Sequence, residues 1–188
     1  MGTKFSTRIW VSVVGIASIF FGSKGYADTV ISVADFGLKP DTRENAVAYV
    51  QKAIEACRGK EPVTLVFPEG RYDFWPQYAH EKNYYETNTY DVFPKRLAML
   101  FEGLHNITVD GNGSQFVMHD RIQPITVENC DGVTLKNFSI DWDIPLTAQA
   151  RVTKVGSDFF EIEINVLESP YIIEDGKLVF VGEGWKSA

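Results

Sequence analysis

The residues best placed to do chemistry in this 188-residue chain are carboxylates set beside aromatic or basic neighbours. Asp141-Trp142-Asp143 is the foremost group. If the strand continues through it, Asp141 and Asp143 point to one side, about 6.6 Å apart at roughly 3.3 Å per residue. Two carboxyls at roughly 6.5–9.5 Å, one protonated and one ionised, are the machinery of glycosidic-bond inversion, and Trp142 adds a flat apolar face on which a sugar ring can stack. The competing reading is structural: both aspartates stand where the strand breaks before Pro145, and Asp at such a break caps a turn. An acid also needs burial to raise its pKa, and a single coil supplies little of it. His119-Asp120-Arg121 is a second polar cluster, either a contact for sugar hydroxyls or a solvated corner. Asp110, in Val109-Asp110-Gly111-Asn112-Gly113, reads as a turn former. The chain has no CxxC pair, HExxH motif or Cys/His cluster, so no metal or cofactor is expected.

The elements that must hold these groups repeat. Ile107-Thr108-Val109, Ile125-Thr126-Val127, Val133-Thr134-Leu135 and Phe138-Ser139-Ile140 recur between Asn, Asp and Gly corners. His105-Asn106-Ile107-Thr108-Val109 aligns with Asp131-Gly132-Val133-Thr134-Leu135 at an offset of 26, a spacing typical of solenoid repeats. Each triplet turns two apolar side chains inward and a Thr or Ser outward. Asn106, Asn112, Asn129 and Asn137 fit the corners, because Asn tolerates left-handed backbone and bonds to the main chain locally. Asn106, Asn112 and Asn137 also match N-x-[ST], which we read as corner chemistry and not as glycan acceptors.

Ahead of the repeats, Val30 to Val33 reads as a short strand. Asp41 stands three residues before Glu44, the spacing of a capping box. Ala46, Val47, Val50, Ala53, Ile54 and Cys57 then share one helical face, and Gly59 closes the helix. Val63 to Phe67 is an apolar strand ended by Pro68 and Gly70. Residues 72–93 lack a clear period and are rich in rings, including Tyr72, Phe74, Trp75, Tyr78, Tyr84, Tyr85, Tyr90 and Phe93. Trp75 and Tyr78 are candidate sugar-stacking residues; equally, the rings pin a long loop to the coil beneath it. After Pro145, Ala150 to Val155 and Phe159 to Val166 flank Gly156-Ser157-Asp158 as an antiparallel hairpin with one wet face. Lys177 to Val181 is a further strand.

Lys4 and Arg8 precede an apolar run from Ile9 to Phe21 and then Gly25-Tyr26-Ala27, the layout of a cleaved export signal over residues 1–27. The run is shorter than the roughly 20 residues of a spanning helix, so no membrane span is expected after cleavage. The signal would hold three of the 18 basic residues and none of the 25 acidic ones, leaving 161 residues at −10. That charge disfavours nucleic acid and other polyanions and favours a neutral ligand. One core, not two domains, fits this length. Cys57 and Cys130 are expected as two separate thiols, pairing only if the fold brings them together.

The combination of ADFG, a capped helix and FPEGRY resembles the start of right-handed parallel β-helix proteins of the pectate-lyase and polygalacturonase superfamily, in which the helix covers the open end of the first coil. The runs 33-VADFGLKPDTRENAV-47, 67-FPEGRYDFWPQ-77, 81-EKNYYETNTYDVFPKRLAMLFEGLHNITVDGNGSQFVMHDRIQP-124 and 127-VENCDGVTLKNFSIDWDIPLTAQARV-152 more narrowly resemble the N-terminal part of glycoside hydrolase family 110, exo-acting α-1,3-galactosidases. The resemblance implies an all-β right-handed parallel β-helix with an N-terminal capping helix and coils over 28–146. It also implies the start of an inserted antiparallel β-barrel-like element over 147–188. The implied activity is metal-free, inverting removal of terminal galactose from neutral glycans, commonly in a homotrimer. Family members are several times longer, and their catalytic aspartates match no position here, so the chain is expected to be an N-terminal fragment with those residues beyond Ala188. Local site candidates are then Asp141 and Asp143 for catalysis, and Trp142, Trp75, Tyr78, His119 and Arg121 for substrate. Two other readings stay open: a pectin-degrading relative, disfavoured by the negative charge, and a non-catalytic glycan-binding β-helix module.

Overall fold

A computed structural model describes residues 29–84 and 94–187. The expected signal, together with Tyr85, Tyr90 and Phe93, lies outside the described residues. No helix among the described residues is long and apolar enough to cross a membrane.

In chain order, β1 (Thr29–Ser32) leads through a 3-10 turn (Val33–Phe36) to α1 (Val47–Cys57), β2 (Val63–Val66) and β3 (Arg71–Phe74). Then come β4 (His80–Lys82), β5 (Lys95–Glu102), β6 (His105–Met118), β7 (Gln123–Glu128) and β8 (Asp131–Trp142). The last five strands are β9 (Arg151–Val155), β10 (Phe160–Glu163), β11 (Tyr171–Glu174), β12 (Lys177–Val181) and β13 (Lys186–Ser187).

Parallel pairing dominates up to Trp142. β1, β2, β6 and β8 stack in one ladder, so that Ile31, Leu65, Val109 and Leu135 form a single column. β3 joins the second half of β6, with Tyr72 opposite Phe116. A second sheet is built from β4, β5 and β7. The repeat offset of 26 is borne out twice, with His105 opposite Asp131 and Leu97 opposite Gln123. Past the corner the offset falls to 24, since Ser114 stands opposite Phe138. β6 turns this corner with Gly111-Asn112-Gly113 where β8 uses Asn137 alone. Gly111 permits the mismatch: a Cβ there would lie 2.5 Å from that of Phe138 and 2.7 Å from the Asn137 carbonyl oxygen.

The corner residues behave as their chemistry demands. Asn106, Asn112, Asn129 and Asn137 have φ of 49°, 50°, 51° and 60°, the left-handed region in which Asn costs less than most other residues. In the core, Phe67, Tyr72, Phe74 and Phe116 pack edge-on or tilted, with Phe67 and Phe116 centroids 4.7 Å apart. Phe138 stacks on Phe116 at 4.8 Å. The apolar face of α1 is buried as expected, through Val47, Val50, Ala53, Ile54 and Cys57.

Three local expectations are corrected. Asp41 does not cap α1; its carboxylate accepts the Arg71 N–H at 2.9 Å and ties the preceding loop to β3. The first helical N–H, that of Val47, donates instead to Asn45 Oδ1 at 3.1 Å. A capping box does occur, at Ser32 and Asp35, where it turns the end of β1 into the 3-10 turn and cuts the first strand at Ser32. Within 72–93, Tyr72 and Phe74 are buried core of β3, and His80–Lys82 adds β4 antiparallel to β5. Tertiary pairing imposes strand geometry there on a sequence without alternation.

Beyond Pro145 the pairing becomes antiparallel, as expected. β9 pairs with β10, closed by Gly156 N–H donating to the Phe159 carbonyl at 2.7 Å. β12 pairs with β11 and β13. The β9–β10 hairpin has both faces exposed, with Phe160 at 67% and Ile162 at 37%. The apolar alternation of β10 therefore meets no packing layer among the described residues.

Candidate functional site

The corner between β3, the end of β6 and the β12–β13 turn gathers the charged residues. Arg71 and Asp73 alternate along β3, so both side chains leave the strand on one side. Asp73 is buried, and Arg71 grips it through Nε at 3.0 Å and Nη2 at 2.6 Å. The same Nη2 donates to Asp143 Oδ1 at 2.6 Å. Arg43, from the loop before α1, approaches Asp143 at 3.5 Å and Asp73 at 3.8 Å. Burial pushes the Asp73 carboxyl up, but hydrogen bonds from Arg71 and His119 outweigh it and hold it below the ordinary carboxylate range. The Arg71 hydrogen bond likewise holds Asp143 down. Bonding to Asp73, more than to Asp143, reinforces the charge of Arg71 against its partial burial.

His119 lies at the centre, buried, its backbone N–H bound to the Phe74 carbonyl at 2.9 Å. Nε2 is 2.9 Å from Asp73 Oδ1 and Nδ1 is 2.7 Å from Glu183 Oε1. Each ring nitrogen thus faces one carboxylate oxygen within hydrogen-bond distance. The second Glu183 oxygen accepts the Asp120 N–H at 3.1 Å. Trp75 covers one face of the imidazole, ring centroids 3.8 Å apart and planes within 10°. His119 is therefore a buried connector, and the reading of residues 119–121 as a solvated corner fails at this residue: three flanking elements close over it.

Trp75 begins a segment held from the α1 side. Asn45 accepts the Trp75 N–H at 3.3 Å and donates to the Gln77 carbonyl at 2.8 Å, while Gln51 donates to the Tyr78 carbonyl at 3.0 Å. An open cleft of about 490 Å³ follows, lined chiefly by Trp75, Gln77, Tyr78, Glu81, Arg96 and Asp120. Tyr78 is 64% exposed on its rim, and Arg96 pairs with Glu81 at 3.3 Å.

Of the residues singled out in the sequence, Trp75, His119 and Asp120 thus meet, Tyr78 shares the cleft, and Asp143 joins through Arg71. Trp142 packs against the core and donates from Nε1 to the Asp120 carbonyl at 3.2 Å. Asp141 is exposed, its Oδ1 accepting the neighbouring Trp142 N–H at 2.8 Å, and Arg121 is exposed as well. Arg71, Asp73, Arg43 and Glu183 were not singled out. The alternating Arg and Asp of 71-RYDF-74 carried a readable signal, whereas Glu183, 64 residues from His119 in the chain, carried none.

Among the described residues His119, Asp143 and Glu183 bring ligand-type atoms within 4.8 Å of one another. Both His119 nitrogens and the arginine-facing oxygen of Asp143 already have protein partners, so the donor set is committed to holding the fold. A second ionic group is also structural. Glu102 and Glu128 face each other across β5 and β7, and Lys82 Nζ bridges them at 2.7 Å to each, with the Tyr84 hydroxyl on Glu128. Asp110 anchors its corner, accepting from Asn137 Nδ2 and the Asn112 N–H at 3.0 Å each; these bonds and Lys136 hold its carboxyl below the usual range.

The architecture is thus a stack of parallel strands joined to antiparallel hairpins, and the hairpin part has a defined counterpart: residues 148–188 match the family model described as GLAA-B beta-barrel domain I. The chain resembles the α-1,3-galactosidases. It is 62% identical over 162 residues to alpha-1,3-galactosidase B of Bacteroides thetaiotaomicron, covering 86% of this chain and 26% of that protein. It is 37% identical over 158 residues to alpha-1,3-galactosidase A of Shewanella woodyi, covering 84% and 26%. A Phocaeicola vulgatus alpha-1,3-galactosidase B is 35% identical over 184 residues, covering 96% and 29%. The chain spans about a quarter of the length of these relatives.

Proposed function

We propose that this chain forms the N-terminal part of an exported glycoside hydrolase that removes terminal α-1,3-linked galactose from neutral glycans. The observation that carries this reading is the 62% identity over 162 residues to a protein named for that activity. In the same reading the parallel ladder is the beginning of a right-handed β-helix and residues 148–188 are part of an inserted β-barrel. The reaction inverts the anomeric centre, and the complete enzyme is a trimer. The cleft of Trp75 and Tyr78 is a glycan-facing surface, with rings for sugar faces and Gln77, Arg96 and Asp120 for hydroxyls.

The acid and base of the reaction belong to coils outside these 188 residues. Asp73, Asp110, Glu128 and Asp143 are all held below their ordinary range, the opposite of what a proton donor to a leaving oxygen needs. Asp143 is bound to Arg71, so it does not stand free as half of a pair with Asp141.

A chimera tests the reading. The matched 162 residues replace their counterpart in the Bacteroides thetaiotaomicron relative, and galactose release from α-1,3-galactobiose is followed by chromatography. The chimera is expected to cleave the disaccharide while the isolated 188-residue chain releases little or no galactose. A folded chimera without activity overturns the assignment, and robust activity of the isolated chain overturns the location given to the catalytic pair.

A further inference from the structure

The cleft wall is not self-supporting. Trp75 lies flat on His119, and His119 is fixed by two carboxylates from distant parts of the chain: Asp73 on β3 and Glu183 in the turn between β12 and β13. Glu183 is itself held by two donors, the His119 ring and the Asp120 N–H. Asp120 lines the same cleft, and Trp142 braces its carbonyl. The orientation of the indole thus depends on a residue of the antiparallel unit that does not line the cleft.

We propose that Glu183 is a positioning residue: seated on His119 and Asp120, it holds the imidazole flat beneath Trp75 and so sets the cleft wall for a neutral pyranose. The glycan part of this inference rests on the function proposed above; the positioning part does not. The stack depends on the tilt of the imidazole, so loss of the ring's second carboxylate loosens both. The groups facing His119 are Asp73, backed by Arg71, Glu183 from the β12–β13 turn, and Asp143 with Arg43 beyond the Arg71 link. Three of these five are acidic, and the two arginines are paired with them.

The experiment uses the full chain, with nitrogen-15 labelling and the Trp75 indole N–H assigned through Trp75→Phe. Glu183→Ala is expected to shift that resonance and to weaken binding of α-1,3-galactobiose at least tenfold, while Glu183→Gln, which keeps the acceptor on the ring, restores most of both. Amides of β1 and β2 report that the fold is intact. An unmoved Trp75 signal and unchanged affinity in folded Glu183→Ala overturn the proposal. If Glu183→Ala does not fold, Glu183→Asp decides: its shorter carboxylate must shift the Trp75 resonance, and an unmoved signal overturns the proposal. If the wild type binds no disaccharide, the glycan reading of the cleft falls, and the Trp75 shift alone decides the positioning role.

Discussion

Arg71 and Asp143 stand 72 residues apart in the chain and 2.6 Å apart in the fold. The contact ties β3 to the end of β8, and because the same guanidinium nitrogen binds buried Asp73 at 2.6 Å, one arginine serves two carboxylates from the strands that flank β6. Asp73 cannot lose that arrangement cheaply. Removing one partner of a buried ionic group leaves the other charge uncompensated, typically at about 3–5 kcal/mol.

Acid should therefore loosen the protein at this corner. Asp73 and Asp143 are both held below their unfolded values. Their stabilisation is complete above the unfolded pKa of about 4 and fades as pH falls through the lower folded values. Asp73→Asn is expected to cost about 3 kcal/mol at pH 7 and to flatten the dependence below about pH 4, read from urea midpoints across the acid range. A variant with wild-type midpoint at pH 7 and an unchanged acid limb would refute this account.

Phe116 is the hub of the aromatic core, touching Phe67, Tyr72, Phe74 and Phe138. Phe116→Ala should cost about 3–5 kcal/mol through lost contact and a residual cavity. Chemical denaturation measures this; a loss below about 1 kcal/mol would mean the ring stack contributes little beyond its area.

The corners make a backbone prediction. Asn129 has φ of 51°, so Asn129→Ala should destabilise by about 1 kcal/mol and Asn129→Gly by less. At Gly111, where the β6 corner meets β8, Gly111→Ala should cost about 1–3 kcal/mol because the clash involves backbone as well as Phe138. Melting temperatures in the reverse order, with the Gly111 variant unaffected, would count against the close approach of those two corners.

Cys57 and Cys130 are both free thiols. Burial pushes the Cys57 thiol up to about 11, and its Sγ faces the Ala53 carbonyl at 3.3 Å. Native protein at pH 8 should leave Cys57 unlabelled by iodoacetamide, with both cysteines labelled in denaturant without prior reduction. Prompt native labelling of Cys57, or a need for reductant, would contradict the packing described.

Much of the scaffold was legible because it follows from local rules. The 26-residue offset, the Asn corners, the apolar face of α1 and the β9–β10 antiparallel pairing follow from period, left-handed backbone tolerance and turn chemistry, all short-range properties. The capping of α1 was misread for a complementary reason: Asp41 has the right spacing from Glu44, but a stronger partner, the Arg71 N–H 30 residues away, takes its carboxylate. Trp75 and His119 were visible as residue types, while their stacking was not. What the sequence determined by itself was a repeating strand scaffold and a similarity to α-1,3-galactosidases. Only the tertiary structure decided that Asp143 is spent on Arg71, that His119 is a buried link between Asp73 and Glu183, and that the cleft wall leans on it. Ion pairs and ring contacts form between residues brought together by strand stacking, and no periodicity along the chain encodes which charges will share one corner.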